Sequence, residues 1–245
     1  MKRCCLALSL FALLAVHAVG QEPAPLKVHM LGSGEYSPVE SLTGFKKYLE
    51  ERYRVQCTTS FSKDSKSLPN LEALKSADVL VVFLRRMNLP EEQMALIRAH
   101  WEAGKPVVAL RTASHAFQPA DNEVFDRQVL GGDYKGAGSY STPFKAIPVK
   151  EQAGHAVVQG VGPITSKGYY NNGKLAEDAI VLQVVESERK TPQPVTWAHT
   201  YKGGRTIYSS MGVPEDFQDD NFRRLLTQAI FWTAQREPNV LKLAK

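Results

Sequence analysis

Four side chains that can move a proton or hold a negative oxygen, Arg111, Thr112, Ser114 and His115, fall within five residues of each other in PVVALRTASHAF, the stretch 106–117. An imidazole can accept or give a proton near neutral pH, a guanidinium can steady an oxyanion, and hydroxyls can orient both. Residues 106–110 are apolar without alternation, which is the pattern of a strand buried on both faces. In an open α/β sheet the ligand crevice lies beyond the carboxyl ends of the strands, so these four residues would line it. A plainer reading has Thr112 or Ser114 capping a helix and His115 packed on the sheet. It accounts for each residue singly but not for the cluster.

Other candidates lie near glycine breaks, where general acids and bases are commonly placed. These are the carboxylates Glu35, Asp133, Glu215 and Asp216. Tyr36, Tyr134, Tyr169 and Tyr170 are aromatic rings with polar tips near the expected mouth, suited to stacking on a sugar. A guanidinium at a strand end is costly to bury alone, and Glu35 is the expected partner of Arg111.

These residues need a frame, and the first half of the chain supplies one by alternation. A strand over 26–31 is followed by a glycine break at 32–34 and a helix over 41–53, with Leu42, Phe45, Leu49 and Tyr53 at helical spacing. A strand over 54–59, a polar loop over 60–67, a short helix over 71–74 and a strand over 78–84 come next. Pro90 suits the first turn of a helix with Met94, Ile97 and Trp101 on one face, which Gly104 ends before the central strand. Such βαβ succession implies a parallel sheet. The second half is less regular. It has a glycine-rich stretch at 131–138, strands over 144–149 and 180–185 with a polar loop between them, and a hairpin of 195–200 and 206–211 around Lys202, Gly203 and Gly204. A last helix over 219–234 carries an apolar stripe of Phe222, Leu225, Leu226, Ala229 and Ile230, with Asp219 and Asp220 at its positive end.

Residues 1–20 read as an export signal: Lys2 and Arg3, an apolar run over 5–16, then Ala18, Val19 and Gly20. The expected plan is this signal, a short linker over 21–25 and one domain over 26–245. The product would be soluble and either periplasmic or secreted. Cys4 and Cys5 would leave with the signal, so Cys57 could form no internal disulfide and is expected to be a packed thiol. Without Lys2 and Arg3, 28 basic residues face 25 acidic ones, a balance of +3 spread along the chain. That pattern excludes a nucleic-acid footprint, and no later segment has the roughly 20 apolar residues that a membrane span needs.

The motifs EY at 35–36, LRTASHAF at 110–117, WAHTYKGGRTIY at 197–208 and FRRLLTQAIFW at 222–232 resemble the trehalose-utilisation, ThuA-like family. The resemblance spans nearly the whole mature chain. It implies a flavodoxin-like fold of the class I glutamine amidotransferase type: a doubly wound, mostly parallel α/β sheet, here with an antiparallel hairpin near the C-terminus. Amidotransferases of this fold carry a cysteine nucleophile at the elbow after the central strand. Aligning on the strand puts Arg111 there, and aligning on the histidine puts Thr112 there. In neither register is there a thiolate, which excludes glutamine hydrolysis by that route.

ThuA-like proteins often show several histidines, and this chain matches some of them with His115, His155 and His199. Val213 stands where the family has another, and the Gly131 to Gly138 stretch contains none. A zinc ion needs three or four donors converging at about 2.0 to 2.3 Å. A divalent metal on His115, His155 and His199 is therefore the less favoured alternative, and no cofactor is specified. The resemblance implies carbohydrate catabolism: a hydrolase, lyase or isomerase acting on a sugar or keto-glycoside by proton transfer. His115 or Glu35 would be the base and Arg111 the oxyanion donor, with Tyr36, Thr112, Ser114, Tyr134, His199 and Glu215 against the substrate. The alternative is a carbohydrate-binding relative that has lost its chemistry. The partner expected is a small carbohydrate, and a homo-oligomer is left open.

Overall fold

The four apolar runs expected as strands between residues 26 and 110 each form one. The computed structural model describes residues 23–138, 141–187 and 192–241, so the expected export signal lies outside the described residues. β1 (Leu26–Gly32), β2 (Val55–Phe61), β3 (Val79–Phe83) and β4 (Val107–Leu110) are connected through α1 (Pro38–Arg52), a 3-10 turn at Leu71–Ser76 and α2 (Glu91–Glu102). Then follow α3 (Pro119–Glu123), β5 (Tyr134–Ala137), β6 (Pro143–Pro148), β7 (Ile164–Lys167), β8 (Tyr170–Asn172), β9 (Ile180–Val185), β10 (Pro194–Tyr201), β11 (Gly204–Ser209) and α4 (Asp220–Thr233).

Nine strands form one sheet in the order β2-β1-β3-β4-β11-β10-β9-β6-β7, and β5 pairs with β8 separately. The first five of the nine are parallel neighbours, and from β11 onward each pair is antiparallel. β4 is interior, between β3 and β11, and all its residues are buried. Its unbroken apolar sequence follows from that position, since both faces are covered. One face carries α1 and α4, whose Leu42, Phe45, Phe222 and Leu226 share a cluster with Val28 and Val108. On the other face Met94, Ile97 and Trp101 of α2 pack against Leu80 and Val107. This is the α/β, flavodoxin-like architecture that the alternation implies.

Four expectations need revision. Pro38 suits a first helical turn and opens α1 ahead of residue 41, whereas Pro90 stands just before α2 instead of inside it. The polar loop between the strands at 144–149 and 180–185 contains β7 and β8, and the glycine-rich stretch contains β5. Each has three or four residues, too few for a periodic pattern to show. Cys57 is packed as expected, and burial pushes its thiol up to about 12, which leaves it unreactive. Among the described residues no helix is long and apolar enough to cross a membrane.

α4 shows its start signal in atomic detail. The Asp219 carboxylate accepts the N–H groups of Asn221 at 2.7 Å and Phe222 at 3.1 Å, two of the donors a helix start leaves unpaired. Asp219→Ala should therefore lower stability by about 1 kcal/mol, read as a reduced urea midpoint with an unchanged slope.

Candidate functional site

The carboxyl ends of β1, β3, β4 and β11 lie side by side, and strand order reverses between β1 and β3. An open α/β sheet leaves a crevice at such a reversal. The loops 33–37, 84–88, 111–116 and 210–216 meet there. Three of them hold non-glycine residues with left-handed backbone: Tyr36 (φ 70°), Ser37 (φ 51°), Arg86 (φ 47°) and Arg111 (φ 47°). Conformations of this kind cost on the order of 1 kcal/mol each, persist only where the surroundings impose them, and gather at functional sites. Gly34, at φ 104°, lets two of the loops touch. A Cβ on it would stand 2.8 Å from Cβ of Arg85.

Extended backbone at Leu110 gives way to the left-handed Arg111, which opens a 3-10 turn over Arg111–His115. The Arg111 side chain is 0% exposed. Its Nη1 donates to the carbonyls of Gly168 at 2.9 Å and of Lys167 and Ser210 at 3.2 Å each. The guanidinium lies 3.8 Å from the Tyr36 ring centre and 5.7 Å from that of Tyr170, a cation held between two π faces. The Arg111 charge acts on two carboxylates, the buried Asp216 and, more weakly, the exposed Glu215. Burial raises the Asp216 pKa, and its Oδ2 accepts from Ser166 Oγ at 2.8 Å and from the Gly212 and Val213 amides at 2.7 and 3.0 Å.

Glu35 is not the partner of Arg111. The left-handed turn at Tyr36 and Ser37 lays the tyrosine ring on Arg111 and leaves Glu35 outside, 57% exposed, where it pairs with Arg85 at 3.1 Å.

His115 closes the turn. Its Nδ1 is 3.1 Å from Ser114 Oγ, the Tyr134 ring stacks on it at 4.5 Å, and Tyr170 meets it edge-on at 5.4 Å. Burial first, and then the charges of Arg85, Arg86 and Arg111, lower its pKa to about 4, so the imidazole is neutral at neutral pH. The two tyrosines come from the small β5–β8 sheet, and their own rings are 5.2 Å apart. Asp126, on a single π turn at Val124–Val129, accepts the Tyr134 amide at 2.9 Å and is itself pushed up to about 6 by burial. Tyr208 donates its hydroxyl to the Arg111 carbonyl at 2.8 Å.

The structure gathers Arg111, Thr112, Ser114, His115, Tyr36 and Tyr134, with Thr112 fully buried. Glu215 sits at the rim, paired with Lys167 at 2.9 Å. Tyr169 turns away to pack on Phe144. His199 does not join the group. By strand register it is level with Val107, the first residue of β4, and its ring meets the Gln128 carbonyl, Asp178 and the backbone of Gly131. His155 packs at a tilt against Trp232 in the last turn of α4, at the other end of the sheet. The three histidines therefore do not converge as a metal would require, and among the described residues no group of three His, Cys, Asp or Glu side chains does. A surface cavity of about 370 Å³ opens beside the loops, between Ser37, Phe45, Pro214 and Arg223, but neither His115 nor Arg111 lines it.

The family model described as trehalose utilisation, ThuA, matches residues 31–233. The chain belongs to the ThuA family. Among solved structures, a ThuA-like protein from Bacteroides uniformis is 18% identical with a TM-score of 0.65, over 89% of this chain and 95% of that one. One from Parabacteroides merdae is 15% identical, also at 0.65, over 90% and 94%. A β-galactosidase from Rahnella sp. R3 is 15% identical at 0.55, over 86% of this chain but 31% of its own. At these identities the likeness establishes the fold. No curated protein sequence matches the chain.

Within this ThuA chain the left-handed backbone marks Arg111 as the elbow residue, which decides between the two registers. Arg85 and Arg86 were not among the expected site residues, although they follow the apolar run VLVVFL just as Arg111 follows VVAL. No sequence pattern announces the π turn that aims Asp126. Because Arg111 satisfies three carbonyls, Arg111→Ala should destabilise the fold by roughly 3 kcal/mol, measured by chemical denaturation. An unchanged midpoint would show that the guanidinium holds nothing together.

Proposed function

We propose that this ThuA protein is an exported protein of carbohydrate catabolism. In this reading it binds a sugar or keto-glycoside in the crevice beyond β1, β3 and β4 and acts on it by proton transfer, as a hydrolase, lyase or isomerase. The observation that carries the reading is the neutral imidazole of His115, set against the Tyr134 and Tyr170 rings where the strained loops meet. Flat aromatic faces suit the apolar face of a pyranose, and a neutral imidazole can take a proton from carbon or oxygen. His115 is the proposed catalytic residue. Tyr134 and Tyr170 form the platform, Glu35 and Glu215 line the rim, and Arg111 is a positioning residue because it is fully buried and its Nη1 is bonded to three of the protein's own carbonyls. The recurrence of the fold as about a third of a β-galactosidase is in keeping with a carbohydrate ligand.

His115→Gln and His115→Ala should each lower kcat on trehalose or its keto derivative on the order of 100-fold, while Tyr134→Ala raises KM. The base form of His115 exists above its pKa, so parent activity should hold at neutral pH and fall as pH drops through about 4. Activity that survives both His115 variants would sink the assignment. Binding without product in the parent would favour the second reading, a carbohydrate-binding relative without turnover, which the weak basicity of His115 supports. Export is proposed from the pattern of residues 1–20. Mass spectrometry of the mature protein should find its N-terminus at or next to Gln21, and an intact Met1 would rule this out.

A further inference from the structure

We infer that the crevice is built for a sugar bearing a single negative charge, a sugar carboxylate, and that Arg86 is the residue that meets this charge. The inference rests on the sugar reading of the same crevice and narrows its substrate class.

The cations around the crevice can be matched one by one. Arg85 pairs with Glu35 at 3.1 Å, Lys167 pairs with Glu215 at 2.9 Å, and Arg111 lies in the field of Asp216. Arg86 is left over. It is exposed, and among the described residues its side chain has no ion pair or hydrogen bond. Unpaired arginines on a surface are ordinary, but this one is held in place. Its N–H donates to the His115 carbonyl at 2.8 Å, its own carbonyl accepts from Gln118 Nε2 at 3.2 Å, and its φ is 47°. Both peptide groups are thus anchored to the segment that carries the site, which fixes the root of the side chain beside His115. The Arg86 charge accordingly adds, after burial and Arg85, to what disfavours protonation of the imidazole.

One unmatched positive charge calls for one negative charge on the ligand. A carboxylate meets a guanidinium through two parallel hydrogen bonds, the geometry Arg provides and Lys does not. A phosphate monoester carries about 1.5 to 2 negative charges at neutral pH and would leave an excess next to Glu35 and Glu215.

The test uses isothermal titration calorimetry on the full mature chain with matched probes: glucose and glucuronate, galactose and galacturonate, and glucose 6-phosphate. At least one uronate should bind tenfold or more tightly than its neutral parent, the advantage should shrink with added salt, and the phosphate should not surpass it. Arg86→Gln should abolish the advantage without changing the affinity for the neutral sugar, and Arg86→Lys should restore only part of it. Because Arg86 is exposed, the variants should keep the parent circular dichroism. Equal binding of each pair, a preference that survives Arg86→Gln, or preference for the phosphate would overturn the inference. If neutral sugars bind and uronates gain nothing, the inference falls and the sugar reading stands. If none of the probes binds, both fall.

Discussion

The burial of one guanidinium constrains the architecture of the crevice. Arg111 sits at the end of the interior strand with no exposure, and a charge in that position is tolerable only when the groups around it compensate for the lost water. Here the compensation comes from four parts of the chain. Tyr36 lies across it from the loop after β1, Lys167 and Gly168 turn their carbonyls to it between β7 and β8, Ser210 does so after β11, and Asp216 supplies the field of a carboxylate. Segments from residue 36 to residue 216 are thus drawn to one point, and the bond to Ser210 alone joins residues 99 positions apart. The left-handed backbone of Arg111 is the conformational cost of aiming the side chain inward, and the hydrogen bonds offset it.

His115 inherits its environment from that arrangement. The turn that begins at Arg111 ends at the histidine, and the 167–168 turn held by Arg111 leads directly into β8, which carries Tyr170. The positive field of three arginines and the desolvation by two tyrosine rings act in the same direction, favouring the uncharged imidazole. One buried cation thereby contributes both to the shape of the mouth and to the protonation state of the group at its base.

Much of this frame was legible in the sequence because it follows from periodicity. The apolar run at 107–110, the stripe on α4 and the acidic start at Asp219 and Asp220 all express local rules, and the cluster at 111–115 was visible as an abrupt change of polarity at a strand end. Pairing was not legible. Glu35 is the carboxylate nearest the first glycine break, yet two successive left-handed residues turn it away, and a backbone angle of that kind leaves no mark when the residues are Tyr and Ser. His199 looked eligible on motif alone, but the hairpin register sets it level with the start of β4. Strands of three or four residues such as β5 and β8 gain their identity only from each other, so the sheet that brings Tyr134 and Tyr170 over His115 could not be read in advance.

The separateness of that small sheet has an evolutionary consequence. β5 and β8 pair with each other and not with the nine-stranded sheet, so positions there that touch neither Arg111 nor His115 can change without disturbing the pairing of the large sheet. A lineage built on this scaffold could vary those positions while the nine-stranded sheet keeps its register.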